Sequence, residues 1–287
     1  VNQGKICISI CARTVGDLLE KVGRAEPLAD AIEIRFDCLE SSTIANALDR
    51  LRDLGSPREL LATNRPKDVD IAFNASAPRV EINAAFEVRL SFWRSILESR
   101  LFRYVDLEED LVFALTHNDI FPPELLAGHT VIGSHHNFYD TPDLGPVLEG
   151  FIPNTDVGFR CDMVKVATTA NSITDTIEQW YLLDWAKHYG VAAVPISMGE
   201  PGKWTRILGL AHGAAMTYAA LDSGGETAPG QIAASDLIDV YRVKELGRET
   251  DVYGVIAGDT SYSMSPYIQN AGFKAARMDR VFLPLQV

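Results

Sequence analysis

The sequence predicts an α/β fold, a (β/α)8 TIM barrel, followed by a short C-terminal βαβ segment. Three observations predict it. Short apolar, β-branched runs alternate with amphipathic stretches of helical period, eight times over about 250 residues, which is the length and rhythm of this barrel. Polar residues gather at the C-terminal ends of those runs, where this fold keeps its chemistry. The rival, an open doubly wound sheet, usually carries a Gly-rich phosphate loop after a strand, and no G-x-G-x-x-G occurs.

Lys5–Ala12 reads as the first strand and Thr14–Val22 as its helix, with Thr14 the N-cap and Asp17 in the first turn. Ala31–Leu39 is the second strand. Its helix, Ile44–Leu54, puts Ile44, Leu48 and Leu51 on one face and closes at Gly55. Glu59–Asn64 is the third strand and Glu81–Ser99 a long helix. Phe102–Leu107 is the fourth strand. A poorer stretch with Pro122 and Pro123 leads to the fifth, His129–Ser134, and then to a short helix, Leu144–Phe151. Met163–Thr168 and Val191–Ser197 are the sixth and seventh strands, with helices Thr174–Tyr189 and Trp204–Leu210 behind them. Ala215–Ala220 is the eighth strand, and Ser235–Leu246 the last helix of the barrel, capped by Ser235.

The chain has 287 residues, enough for a full core, and 47% of them are hydrophobic. Its formal charge of -13 argues against nucleic acid or an anionic membrane as a partner, since both need basic patches. An anionic small molecule stays open, because a few arginines set the field inside a pocket. No run is apolar enough to span a bilayer and no signal peptide is visible, so a cytoplasmic location is expected, or a plastid if the source is a plant. Cys7, Cys11, Cys38 and Cys161 lie in strand-like stretches without a C-x-x-C pair and read as small buried thiols of a reducing compartment.

The strand ends carry the chemistry. They hold Glu33 and Arg35 on the second strand, Arg65 after the third, Asp106 and Glu108 after the fourth, and His135 and His136 after the fifth. Lys165 lies within the sixth, and Ser197 to Glu200 follow the seventh. Thr227 and Gln231 sit in a Gly/Pro-rich loop after the eighth. Loops are polar in any protein, but Glu33 and Arg35 alternate with Ile32 and Ile34 inside a strand. On the sixth strand Met163, Lys165 and Ala167 share a face. Lys165 is either an edge lysine in water or a buried amine. A buried ammonium favours its neutral form, and a neutral amine in a dry pocket can form a Schiff base with a ketone.

Four motifs carry a resemblance to the type I 3-dehydroquinate dehydratases over roughly Lys5 to Leu246. Glu33-Ile34-Arg35-Phe36-Asp37 resembles the family's E-x-R-x-D. Ser134-His135-His136-Asn137-Phe138 with Thr141-Pro142 is similar to its S-x-H-x-F…T-P segment. Lys165 falls where the family carries its Schiff-base lysine, and Ala228-Pro229-Gly230-Gln231 matches the A-P-G-Q of its lid. The resemblance implies dehydration of 3-dehydroquinate to 3-dehydroshikimate, a step of aromatic amino acid biosynthesis, with no metal or organic cofactor. It implies that Lys165 forms the imine and that His136 is the general acid and base; on residue type alone His136 could equally be a satisfied loop histidine. Arg206 matches the carboxylate-binding arginine, against a solvated helix-start arginine as the plain alternative. Glu33, Arg35 and Arg65 are implied to line the pocket, Thr227 and Gln231 to close it, and Met198 to be an apolar lid contact or simply core.

Three departures stand out. The family commonly has a glutamate and a glycine pair after the third-strand arginine, and that glutamate orients the histidine. Here the run is Arg65-Pro66-Lys67-Asp68-Val69-Asp70, so either Asp68 or Asp70 takes that role or nothing does. The lid serine is Thr227, which keeps the hydroxyl. The loop Gly199-Glu200-Pro201-Gly202-Lys203 matches only loosely.

The tail from Val252 to Val287, after a linker at 247–251, resembles the opening of shikimate dehydrogenase. Tyr253-Gly254-Val255-Ile256-Ala257-Gly258 and Ser261-Tyr262-Ser263-Met264-Ser265-Pro266 carry that likeness. It implies that Ser263 and Ser265 belong to a shikimate carboxylate site. NADP is expected only with a complete dehydrogenase domain, whose Gly-rich loop is absent here. The layout resembles a bifunctional dehydratase–dehydrogenase. A class I aldolase and a non-catalytic pathway sensor are the alternatives, and the retention of Lys165, His136 and Arg206 together argues against the sensor. Oligomeric state is left open.

Overall fold

The computed structural model describes residues 2–65, 79–112, 121–151 and 161–287. Its strands are β1 (Lys5–Cys11), β2 (Ala31–Arg35), β3 (Glu59–Thr63), β4 (Tyr104–Glu108), β5 (Thr130–Asn137), β6 (Met163–Thr169), β7 (Ala192–Met198) and β8 (Met216–Ala220). They form one parallel ladder in the order β7-β6-β5-β4-β3-β2-β1-β8, and a two-residue strand, β9 (Ile232–Ala233), extends the β8 edge. The ladder curls until its ends meet. Between β7 and β8 the Ala215 N–H donates to the Ala193 carbonyl at 2.8 Å.

The period of two along each strand divides the core in two. Outward residues such as Ile8, Ile32, Ile34, Val105 and Val164 pack with the surrounding helices in one large cluster. Inward residues such as Cys7, Ala31, Leu61, Ile132, Met163, Val194 and Tyr218 form a second cluster inside the curl. The helices are α1 (Val15–Ala25), α2 (Ile44–Leu54), α3 (Arg79–Ser99), α4 (Pro123–Leu126), α5 (Gly145–Glu149), α6 (Ile177–Tyr189) and α7 (Lys203–Leu208). In α1 the Thr14 side chain accepts the Asp17 N–H, and Leu18, Val22 and Ala25 are buried. α2 and α6 end at Gly55 and Gly190, whose positive φ values of 59° and 64° a side chain would strain.

The boundaries shift in informative ways. β2 stops at Arg35 and turns into a 3-10 segment, Phe36–Cys38. β5 runs on to Asn137, so His135 and His136 lie on the strand. The stretch expected as a last helix is a π-helical turn, Asp236–Val240, and Ser235 makes no side-chain cap there. The expectation of four reduced cysteines is corrected: Cys11 and Cys38 form a disulfide at a sequence separation of 27, while Cys7 and Cys161 are free and buried. β1–β2 pairing sets Cys11 opposite Arg35, which carries the following turn to its side.

Beyond the curl, β10 (Asp251–Ala257), α8 (Ser265–Ala275) and β11 (Arg280–Gln286) form a βαβ unit with a two-stranded parallel sheet. Val281 and Leu283 of β11 are buried, and the strand packs against α7. Tyr267 donates to Asp236 at 3.0 Å and Arg242 to the Arg280 carbonyl at 2.9 Å. Asn270 locks β11 by donating to and accepting from Phe282, at 2.8 Å each way. Val252, Ile256 and Ile268 remain exposed.

Candidate active site

A pocket lies at the C-terminal ends of the strands. Glu33, Arg35, Arg65, His136, Lys165, Arg206, Thr227 and Gln231 all line it, as do Phe138, Ala167, Ile196, Met198 and Tyr218. The eight residues given a catalytic or substrate-binding role by the family resemblance therefore meet here, together with Met198. Ser263 and Ser265 do not line this pocket; they sit together on the βαβ unit, where the Ser265 N–H donates to Ser263 at 3.3 Å.

Lys165 stands on β6 between the inward-facing Met163 and Ala167, with 2% of its side chain exposed. Its ammonium donates to Asp106 at 2.6 Å and lies 3.8 Å from Glu33. The Tyr218 ring lies 4.3 Å away on the opposite wall, a cation–π distance. Burial alone would raise the Asp106 carboxyl, but Lys165, with Arg65 and His136 behind it, overrides that and holds it well below the usual range. Ser134 donates to the other Asp106 oxygen. Glu33 accepts from Ser9 and from Thr63, the latter at 2.7 Å, so the carboxylate is tied down on both sides.

His136 is fixed at both ring nitrogens. Nδ1 lies 3.1 Å from a Glu108 oxygen and Nε2 contacts the Arg65 guanidinium. Phe138 stacks on the ring with centroids 6.0 Å apart. Burial, with the positive charges of Arg65 and Lys165, keeps the imidazole well below its ordinary pKa and so neutral at pH 7. His135 points the other way along the strand and pairs with Glu109 at 2.7 Å. Asp68 and Asp70 lie outside the described residues.

The arginines differ in state. Arg35 is forked onto Asp37 at 2.9 and 2.7 Å; burial would lower its pKa, but that carboxylate together with Glu33 raises it. Arg206, from α7, is 2% exposed, and burial lowers its pKa to about 10. Its guanidinium donates to the Pro229 carbonyl at 3.2 Å, and among the described residues its Nε and Nη1 have no partner. A buried guanidinium with two free donors is a seat for an anion. Thr227 and Gln231 hydrogen-bond each other, and Thr227 donates to Ser9 at 2.9 Å, closing the lid onto β1. The lid loop approaches the β7 loop so closely that a Cβ on Gly230 would meet the Gly199 carbonyl at 2.5 Å.

Sequence reading assigned no role to Ser9, Thr63 and Tyr218, and it noted Asp106 and Glu108 only as strand-end acids. All five share the inward parity of Glu33 and Lys165, which was the available signal. Among the described residues no group of three or more His, Cys, Asp or Glu could hold a metal ion. No described helix is long and apolar enough to cross a membrane.

Comparison with known proteins agrees with this geometry. The family model described as type I 3-dehydroquinase matches residues 6–248. The chain is 30% identical over its whole length to the chloroplastic bifunctional 3-dehydroquinate dehydratase/shikimate dehydrogenase of Arabidopsis thaliana, and spans 45% of that protein. It is 31% identical, over 79% of its length and 91% of the relative's, to a 3-dehydroquinate dehydratase of Methanothermobacter thermautotrophicus. The fold matches the type I 3-dehydroquinate dehydratase of Clostridium difficile with a TM-score of 0.67 at 21% identity, covering 85% of this chain and 93% of that one. The dehydroquinate dehydratase and shikimate dehydrogenase of S. pombe matches with a TM-score of 0.59 at 17% identity, covering all of this chain and 53% of that one. With most of its length matched by the family model, and the family's strand-end motifs converging on one pocket, the chain belongs to the type I 3-dehydroquinases.

Proposed function

We propose that the chain dehydrates 3-dehydroquinate to 3-dehydroshikimate through a Schiff base on Lys165. The observation that carries this is the meeting, in one pocket, of a buried lysine, a neutral imidazole and a buried arginine whose Nε and Nη1 have no partner among the described residues. Arg206 receives the substrate carboxylate, while Glu33, Arg35 and Arg65 hold ring hydroxyls. The Lys165 nitrogen adds to the ketone carbon, and water leaves to give an iminium. His136 takes the proton from the carbon next to the iminium, whose electrons collect on nitrogen as an enamine. The enamine electrons return to expel the hydroxyl two carbons from the former carbonyl, and His136 gives it the proton, so it departs as water. Water then hydrolyses the conjugated iminium and restores Lys165. Asp106 stands beside the nitrogen and balances its positive charge in the ammonium and iminium stages.

This reading needs no metal or organic cofactor. Residues 1–246 form the catalytic unit, 247–251 a linker, and 252–287 the opening of a shikimate dehydrogenase substrate domain, with Ser263 and Ser265 its carboxylate contacts. NADP belongs to the complete dehydrogenase domain. The expected setting is the cytoplasm, or a plastid in a plant. Support for the two-part layout comes from the Arabidopsis relative, which aligns with the whole chain, tail included.

Borohydride trapping tests the mechanism. Reduction in the presence of dehydroquinate should inactivate the protein, and mass spectrometry should place the adduct on Lys165. An adduct on Lys203, or turnover with no adduct at all, overturns the assignment.

A further inference from the structure

A neutral imidazole has one donor nitrogen and one acceptor, and its partners decide which is which. In His136 the partners are unambiguous. A guanidinium only donates, so the Arg65 contact at Nε2 makes that nitrogen the acceptor. The proton therefore sits on Nδ1 and is donated to the Glu108 carboxylate at 3.1 Å. We propose that Glu108 is the positioning residue of His136, holding the ring and the Nδ1–H tautomer so that Nε2 is the base.

This deepens the dehydratase reading and rests on it, because it assigns the carboxylate for which the sequence offered only Asp68 or Asp70. The other described carboxylates nearby are committed elsewhere: Asp106 to Lys165 and Ser134, and Glu109 to His135. Glu108 is placed by its strand. It follows Asp106 on the inward face of β4, and β4–β5 register sets it opposite Ser134, two residues before His136. Its second oxygen lies 3.5 Å from Arg65 Nη1, so arginine, glutamate and imidazole form a closed triangle. When substrate draws Arg65 toward a ring hydroxyl, Nε2 is released with its lone pair free while Glu108 keeps the ring in place. As His136 becomes imidazolium, Glu108 faces the new charge. Around the His136 ring stand the charges of Arg65, Lys165 and Asp106, with the His135 ring beside them on the strand.

The direct test is the tautomer, read by 15N NMR of the histidine-labelled full chain without substrate. Wild type should show His136 protonated at Nδ1 near neutral pH. In Glu108→Gln the amide can donate to Nδ1 and reverse the tautomer. That variant should lose kcat by about 10-fold or more, up to the ~10⁴-fold known when the carboxylate behind a catalytic histidine is amidated. KM should change little, and Glu108→Asp should recover part of the loss. An Nε2–H tautomer in wild type overturns the proposal, as does a Glu108→Gln enzyme with wild-type kcat. The wild-type tautomer reports on Glu108 whether or not the chain turns over dehydroquinate, so failure of the dehydratase reading would show separately.

Discussion

Asp106→Asn removes one member of a buried ion pair and leaves the other in place. The Lys165 ammonium is 2% exposed and the Asp106 carboxylate 0%, at 2.6 Å. Breaking such a pair from one side costs ~3–5 kcal/mol, chiefly because a charge is left without a counter-ion. Asparagine keeps a carbonyl for Ser134 but turns an amide nitrogen toward the lysine. Glu33, at 3.8 Å, compensates in part and pulls the expected loss toward the lower end. Urea unfolding at pH 7, followed by tryptophan fluorescence, reads the value. Lys165→Met leaves Asp106 with the Arg65 guanidinium, 3.9 Å away, as its nearest counter-charge, and should cost a similar amount or somewhat less. The double variant should lose far less than the sum, since replacing both members of a buried pair is often close to neutral. The pH dependence has a definite sign. The folded Asp106 carboxyl is held below its ordinary value, so the unfolded chain binds the proton first. Its contribution is present in full above about pH 4 and is lost as the pH falls further. Wild type and variant should therefore converge in acid. A loss below about 1 kcal/mol at pH 7, or a double variant that loses the full sum, would refute this account of the pair.

Three other outcomes are expected. His136→Ala should lower kcat by ~10²–10⁴-fold, while His135→Ala, whose ring faces Glu109 outside the pocket, should cost much less; steady-state kinetics giving the reverse order would refute the strand register. Arg206→Lys should raise KM by roughly 10–150-fold, the worth of one charge-assisted hydrogen bond at ~1.5–3 kcal/mol, and an unchanged KM would remove the carboxylate from that arginine. Reducing the Cys11–Cys38 bond should lower unfolding stability by ~3.5 kcal/mol, the chain-entropy value for a closed loop of 27 residues, and equal stability with and without reductant would refute that contribution.

Much of the fold was legible because both of its periods were visible. Apolar runs with β-branched residues gave the eight strands, and the alternation of Glu33 and Arg35 with Ile32 and Ile34 gave away a polar interior face. The same parity, applied to every strand, would have named Ser9, Thr63, Asp106, Ser134 and Tyr218 as well. Family motifs drew attention away from them. Other features rest on distances that the sequence does not display. Cys11 and Cys38 become neighbours only once β1 and β2 are in register. The tautomer of His136 depends on β4 and β5 standing side by side. The π-helical turn at Asp236–Val240 has an ordinary helical pattern in the sequence, and nothing in that pattern marks its altered winding or its contact with Tyr267 of the tail.

The short helix α7 has two duties on two sides. One side delivers Arg206 to the pocket, and the other lies against β11 of the C-terminal unit. A cut after residue 246 is the natural way to isolate the barrel, but it is not a neutral cut. It would strip α7 of the β11 strand packed on it and leave Arg242 and Asp236 without their partners across the junction. The first casualty of such trimming would be the seat of the arginine rather than the barrel itself, so a shortened chain that folds well could still grip a carboxylate poorly.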